Sequence, residues 1–199
     1  MRFSLPALVL LLSVVNASPL PKKEKAAASS SAIASATASP TAAATSSASA
    51  STTTASAGSV LTASAYKDFQ ISDGKAGTAQ DQANALFTAI DKNNLAAVSK
   101  SDLDIIQGVH DAAEDAETDA FNPAIAAASG DAATALQNGK IKNKVLKLTA
   151  EILSIQVKAA QGGDGTDLAA EQTKLANNIK LDTAAAGQAS TAVSFDATS

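Results

Sequence analysis

From residue 66 onward the apolar positions recur at helical spacing, and at 100° per residue they gather into stripes on four successive segments. In the first, Ala79, Ala83, Leu86, Phe87 and Ile90 share a face; Asp73-Gly74 forms a turn ahead of it and Asp91-Lys92-Asn93-Asn94 ends it. In the second, Ile105, Ile106, Val109, Ala112, Ala113, Ala116 and Ala120 fall within an arc of about 120°, while Asp104, Asp111, Glu114, Asp115 and Asp119 lie outside it. Ser101 and Asp104 have the spacing of a capping box, with Asp in place of Glu or Gln. Asn122-Pro123 reads as a fresh start, Asn as N-cap and Pro at the first helical position, so a break is expected there and a short Ala-rich turn runs on to Gly130.

The third segment, from about Ala132 or Lys140 to Ala160, carries two stripes. Ile141, Val145, Leu148, Ile152, Ile155 and Ala159 repeat at intervals of four and three; Leu146, Leu153 and Val157 form a second line roughly 140° away. Only the arc holding Lys144, Lys147, Glu151 and Lys158 is plainly polar, so this helix must bury two faces. Gly162-Gly163-Asp164-Gly165 closes it, and a fourth helix with Leu168, Leu175, Ile179 and Ala186 on its stripe runs to Gly187. The only strand-like run is Thr191 to Phe195. These elements predict an all-α fold, an antiparallel bundle of about four main helices with the third at its centre.

Upstream the pattern is different. Arg2, an apolar run from Leu5 to Val15 and the small residues Val15-Asn16-Ala17 have the form of a secretory signal peptide over 1–17. Its apolar run is about half the ~20 residues that a membrane span needs. Residues 18–58 form an Ala/Ser/Thr-rich tract; 26–58 contain 16 hydroxyl residues and 14 alanines. Such a tract cannot bury enough apolar surface to offset its ordering entropy, and in a secreted chain it reads as a disordered, O-glycosylated stalk. The dibasic Lys22-Lys23 inside it is either a processing site or a solvated turn. Residues 59–199 then form one helical domain, and the expected location is secreted, extracellular or cell-wall-associated, with no transmembrane segment.

Composition narrows the chemistry. The 199 residues include no Cys and no Trp, which excludes disulfide scaffolds, thiol catalysis and thiolate metal sites. Beyond the leader's Arg2 every basic residue is Lys, and Asp plus Glu outnumber them, so nucleic acid is not an expected partner. His110 is the single imidazole, which rules out two-histidine metal sites. It lies on the rim of its helix's apolar arc, with Glu114 four and Glu117 seven residues on, and no nucleophile-elbow motif accompanies it. No catalytic residue, metal ligand or cofactor is assigned, and the chain reads as a non-enzyme.

The apolar arc of the third helix is wider than narrow-faced partners require. Either its neighbours sandwich it, or the second stripe of Leu146, Leu153 and Val157 lines a groove for a hydrophobic surface, a lipid or a cell-wall polymer. Lys140, Lys142, Lys144 and Lys147 either face the acidic side of the second helix or meet an anionic group. The alternative is a structural or host-interaction role played through that acidic surface. Phe69-Gln70-Ile71-Ser72-Asp73-Gly74, Ala113 to Glu117 with Phe121-Asn122-Pro123, Leu136 to Lys144, and Ala184 to Gln188 resemble an uncharacterised family of fungal small secreted proteins over roughly residues 66–196. That resemblance implies a fungal extracellular protein and brings no activity with it. In architecture alone, the leader, tract and Ala-rich helical domain are similar to fungal hydrophobic-surface-binding proteins and cell-wall mannoproteins.

Overall fold

The computed structural model describes residues 58–199; the signal-peptide reading of 1–17, the Lys22-Lys23 site and all of the 18–58 tract but its last residue lie outside them. The elements are α1 (Tyr66–Phe69), β1 (Gly74–Lys75), α2 (Ala79–Leu86), α3 (Lys100–Asp115), α4 (Asn122–Ala127), α5 (Gly130–Ala160), α6 (Leu168–Ala184) and β2 (Ala189–Ser190). The all-α bundle is thus present, with α2, α3, α5 and α6 as its four main helices. At 31 residues α5 is roughly 46 Å long, and α3 and α6 pack along it with α2 beside them.

Large side chains from every layer meet on one face of α5. Tyr66 and Phe69, Phe87 and Ile90, Ile106 and Val109 close over Val145, Leu146, Leu153 and Val157. Ala79, Ala83, Ala112, Ala113, Ala116 and Ala150 lie between them, and these small side chains let the helix backbones approach closely. Burial of the large groups, at ~25 cal/mol per Å² of apolar surface, supplies most of the driving force.

Three local expectations are corrected. The cap of α3 is Ser99, not Ser101: Ser99 Oγ accepts from the Asp102 N–H at 3.0 Å and donates to the Asp102 carboxylate at 2.7 Å. Asp102 also receives Ser59 Oγ and the N–H groups of Val60 and Leu61, so it ties the chain's entry to the helix start. Burial would raise its carboxyl, yet these hydrogen bonds together hold it below the ordinary carboxylate range. Second, the chain does not break at Asn122. A π-helical turn, Ala116–Phe121, carries α3 directly into α4, and this widened turn accommodates Pro123, which has no N–H to give the preceding turn.

Third, Thr191 to Phe195 forms no strand. The two-residue β2 just before it pairs antiparallel with β1, Gly74 opposite Ser190 and Lys75 opposite Ala189. Residues 191–199 then run as a strap across the bundle: Thr191 N–H donates to Ala135 O, Phe195 meets the Tyr66 ring edge-on at 5.8 Å, Tyr66 N–H donates to Ala197 O, and Ser199 N–H donates to Ser64 O. A Cβ at Gly139 would collide with the Thr191 carbonyl oxygen, so glycine is what lets the strap lie flat on α5. Asn138 Nδ2 donates to Ala189 O beside it at 2.8 Å.

Candidate functional site

Both faces of α5 are covered, as the sandwich arrangement requires. Leu146 and Val157 are 0% exposed and Leu153 4%, all within the main core against α2 and α3. They do not line a groove: Leu146 and Val157 have no exposed surface, and Leu153 borders a 110 Å³ pocket between α2, α5 and α6 together with Phe87, Ile152 and Leu175. The ligand-binding assignment to that stripe therefore gives way to an ordinary core role, because Tyr66 and Phe69 of α1 and Phe87 just after α2 already fill the space above it.

The other stripe is the unusual one. Leu148, Ile152 and Ile155 are 5%, 9% and 8% exposed and share one arc of α5, with α6 side chains beside Leu148 and Ile152. Leu148 and Ile152 line, together with α6 side chains, the two hollows flanking the α5/α6 seam. Yet α6 is a 17-residue helix whose only buried residue is Asp182; Leu175 and Ile179 are half-buried and Leu181 is exposed. Asp182 accepts from the N–H groups of Gly77 and Ala79, both at 2.9 Å, and so caps α2 from a distance; Thr78 at the cap position makes no such bond. No sequence rule ties residue 182 to residue 79.

Beside the seam lies a polar cleft of about 230 Å³. From α3 it receives His110 and Glu114; from α5, Lys144, Lys147, Leu148 and Glu151; from α6, Glu171, Lys174 and Asn178. Lys147 Nζ lies 2.5 Å from a Glu114 carboxylate oxygen and 3.0 Å from Glu117, and Lys144 lies 2.9 Å from Glu117. Glu117 reaches inward from the π-helical turn. Burial alone would push the Glu117 carboxyl up and the Lys147 ammonium down; the mutual pairing outweighs it, leaving Glu117 below and Lys147 above their ordinary values.

His110 sits against carboxylates, but not those of Glu114 or Glu117. Its Nδ1 lies 2.9 Å from Asp111 and its Nε2 3.3 Å from Glu151 on α5, and a neutral ring has one N–H to share between them. Of the other lysines singled out, Lys140 donates to Asn122 Oδ1, whereas Lys142 is fully buried and donates to the carbonyls of Asp73 and Lys75 under β1. Glu171, Lys174 and Asn178 were not singled out from the sequence, although their intervals of three and four mark one face of α6. Among the described residues no three His, Asp or Glu side chains are grouped to hold a metal ion, and no helix is long and apolar enough to cross a membrane.

Fold and site together define an α-helical bundle with a charge-lined cleft beside a thinly covered apolar seam. Residues 61–194 match the family described as domain of unknown function (DUF8454), and the chain belongs to that family. No curated protein and no solved structure matches it.

Proposed function

We propose that this is a secreted, non-enzymatic fungal protein of the extracellular space or cell wall, with a glycosylated N-terminal stalk, whose helical domain binds lipid-like ligands at the α5/α6 seam. The observation that carries this reading is the stripe of Leu148, Ile152 and Ile155 beneath a helix that buries no apolar residue of its own. A tail along that stripe from Leu148 to Ile155 has about 11 Å of apolar track. The adjoining cleft offers cations for a head group. Lys174 is the most open of them: it is 61% exposed and paired only with Glu171 of its own helix, an arrangement that costs little to exchange for a ligand carboxylate.

Calorimetric titration with dodecanoate, alongside native mass spectrometry of protein secreted from a fungal host, tests the reading. One dodecanoate bound per folded chain is expected, weakened at least tenfold by Ile152→Ser. Absence of bound dodecanoate from protein of native circular dichroism refutes it.

A further inference from the structure

The attachment of α6 is asymmetric along its length. At its C-terminal end the Asp182 carboxylate holds two backbone N–H groups of the α2 start, and just beyond it Gly187 N–H donates to Ala76 O while Ala76 N–H donates to Gln188 O. At its N-terminal end the connection to α5 is Gly162-Gly163-Asp164-Gly165, with Gly162 at φ +90°, a conformation reserved in practice for glycine. Asp164 there pairs with Thr166 inside the same turn. Between those ends the side-chain bonds of α6 are internal: Lys174 to Glu171, Thr173 to Ala169 O, Asn178 to Lys174 O. Among the described residues no hydrogen bond or ion pair links any side chain from Leu168 to Leu181 to another element. Along this length the helix is held by the packing of half-buried side chains, Leu168 near its start and Leu175 and Ile179 further on, with no buried apolar residue among them.

We infer that α6 is a gate over the apolar stripe of α5, hinged at Asp182 and opening from its glycine-linked end. Segments with few buried apolar contacts and no tertiary hydrogen bonds open locally at far lower free energy than the whole domain unfolds. The two helices run antiparallel, with Leu175 beside Ile152 and Asp182 near the buried Lys142, so Ile155 lies closer to the moving end than Leu148 does. Opening therefore uncovers Ile155 first, then Ile152, then Leu148. The inference rests on the proposed seam site for its purpose: the gate admits the tail of a single-chain carboxylate and closes over it. As a motion it needs no ligand.

Because the chain has no cysteine, single substitutions report the opening without background. Ile155→Cys, Ile152→Cys and Leu148→Cys are pulsed with a thiol-reactive maleimide under native conditions, with Leu146→Cys and Val157→Cys as core references that react through global unfolding. I155C and I152C are expected to react at least tenfold faster than the references, in the order I155C, I152C, L148C. Equal rates at all five positions overturn the gate, whatever dodecanoate does in the calorimeter. Excess dodecanoate is then added to the same variants. Slower labelling of I152C supports the seam as the ligand's seat; dodecanoate that binds while leaving I152C labelling unchanged overturns that seat and leaves the ligand-free gate standing.

Discussion

Leu146→Ala is the sharpest single test of where the core of this domain lies. Leu146 is fully buried, packed against α2 and α3 rather than beneath α6, and its truncation leaves a cavity that the surrounding helices can only partly fill. Leu→Ala substitutions at such sites cost about 2–5 kcal/mol. Total burial and a helix held on both sides place this one at about 3–4 kcal/mol. For a domain of this size each kcal/mol lowers Tm by roughly 3–5 °C, so a fall of about 10–15 °C is expected. The measurement is thermal unfolding followed by far-UV circular dichroism, with Ile152→Ala beside it; I152A should cost about 2 kcal/mol or less, since α6 can settle onto the smaller side chain. A Leu146→Ala variant that melts within about 3 °C of the parent would refute the core assignment and return Leu146, Leu153 and Val157 to consideration as groove residues. By the same arithmetic, replacing all three with Ser removes stability comparable to the whole ~5–15 kcal/mol of a small domain, and unfolding is the expected result.

Further outcomes follow from other parts of the fold. Gly139→Ala pushes a methyl into the Thr191 carbonyl and should destabilise by about 1–3 kcal/mol, with hydrogen exchange accelerated in 189–199 before the rest. Asn143→Leu strands the buried Tyr66 hydroxyl, which donates to Asn143 Oδ1 at 2.7 Å, and the Ala113 carbonyl, which accepts from Asn143 Nδ2 at 2.7 Å; chemical denaturation should show a loss of about 2–4 kcal/mol. The pH dependence has two edges. Glu117 and Asp102 titrate below their unfolded values, so their contribution is complete above about pH 4.3 and is lost as pH falls through their folded values; Glu117→Gln should flatten that acid edge in a pH series of urea midpoints. Lys147 is raised and Tyr66 is pushed up to about 12, first by burial, so their contributions are complete below about pH 10 and are lost as pH climbs through the folded values. Ultraviolet titration of Tyr66, the one tyrosine, reads that upper edge directly.

The main helices were legible because each carries a stripe at 3.6-residue spacing, and the end of α5 at Ala160 and its need to bury two faces followed from two such stripes on one segment, whereas its start at Gly130 lay ahead of the Ala132 or Lys140 that the stripes suggested. Which stripe faced the core was not legible. Leu146-Leu153-Val157 and Leu148-Ile152-Ile155 are equally apolar; what distinguishes them is that Phe87, Tyr66 and Phe69 cover one and α6 the other, a fact about partners distant in sequence. His110 shows the same limit, since its second carboxylate, Glu151, is on another helix while the acids at helical spacing are taken by lysines. Ser99 was missed as the cap because Ser101 offers the same chemistry two residues later, and only the backbone decides between them. The π-helical turn escaped notice because Asn122-Pro123 carries the signature of a helix start, and a widened helix that absorbs a proline leaves no separate mark in the residue types.

The strap has a consequence for the order of assembly. Helical bundles fold fast when their contacts are local, and the rate falls as contacting residues lie further apart along the chain. Here Ser64 and Ser199, 135 positions apart, are hydrogen-bonded to each other, and the Tyr66 ring waits for Phe195. During synthesis the four main helices can form and collapse as they emerge, with Tyr66 and Phe69 seated on the α5 core, but the strap over α1 closes only when the last dozen residues arrive. The domain therefore finishes folding at its beginning, and a chain interrupted before residue 190 would lack the Phe195 ring that meets Tyr66 edge-on and the Ala197 carbonyl that accepts its N–H.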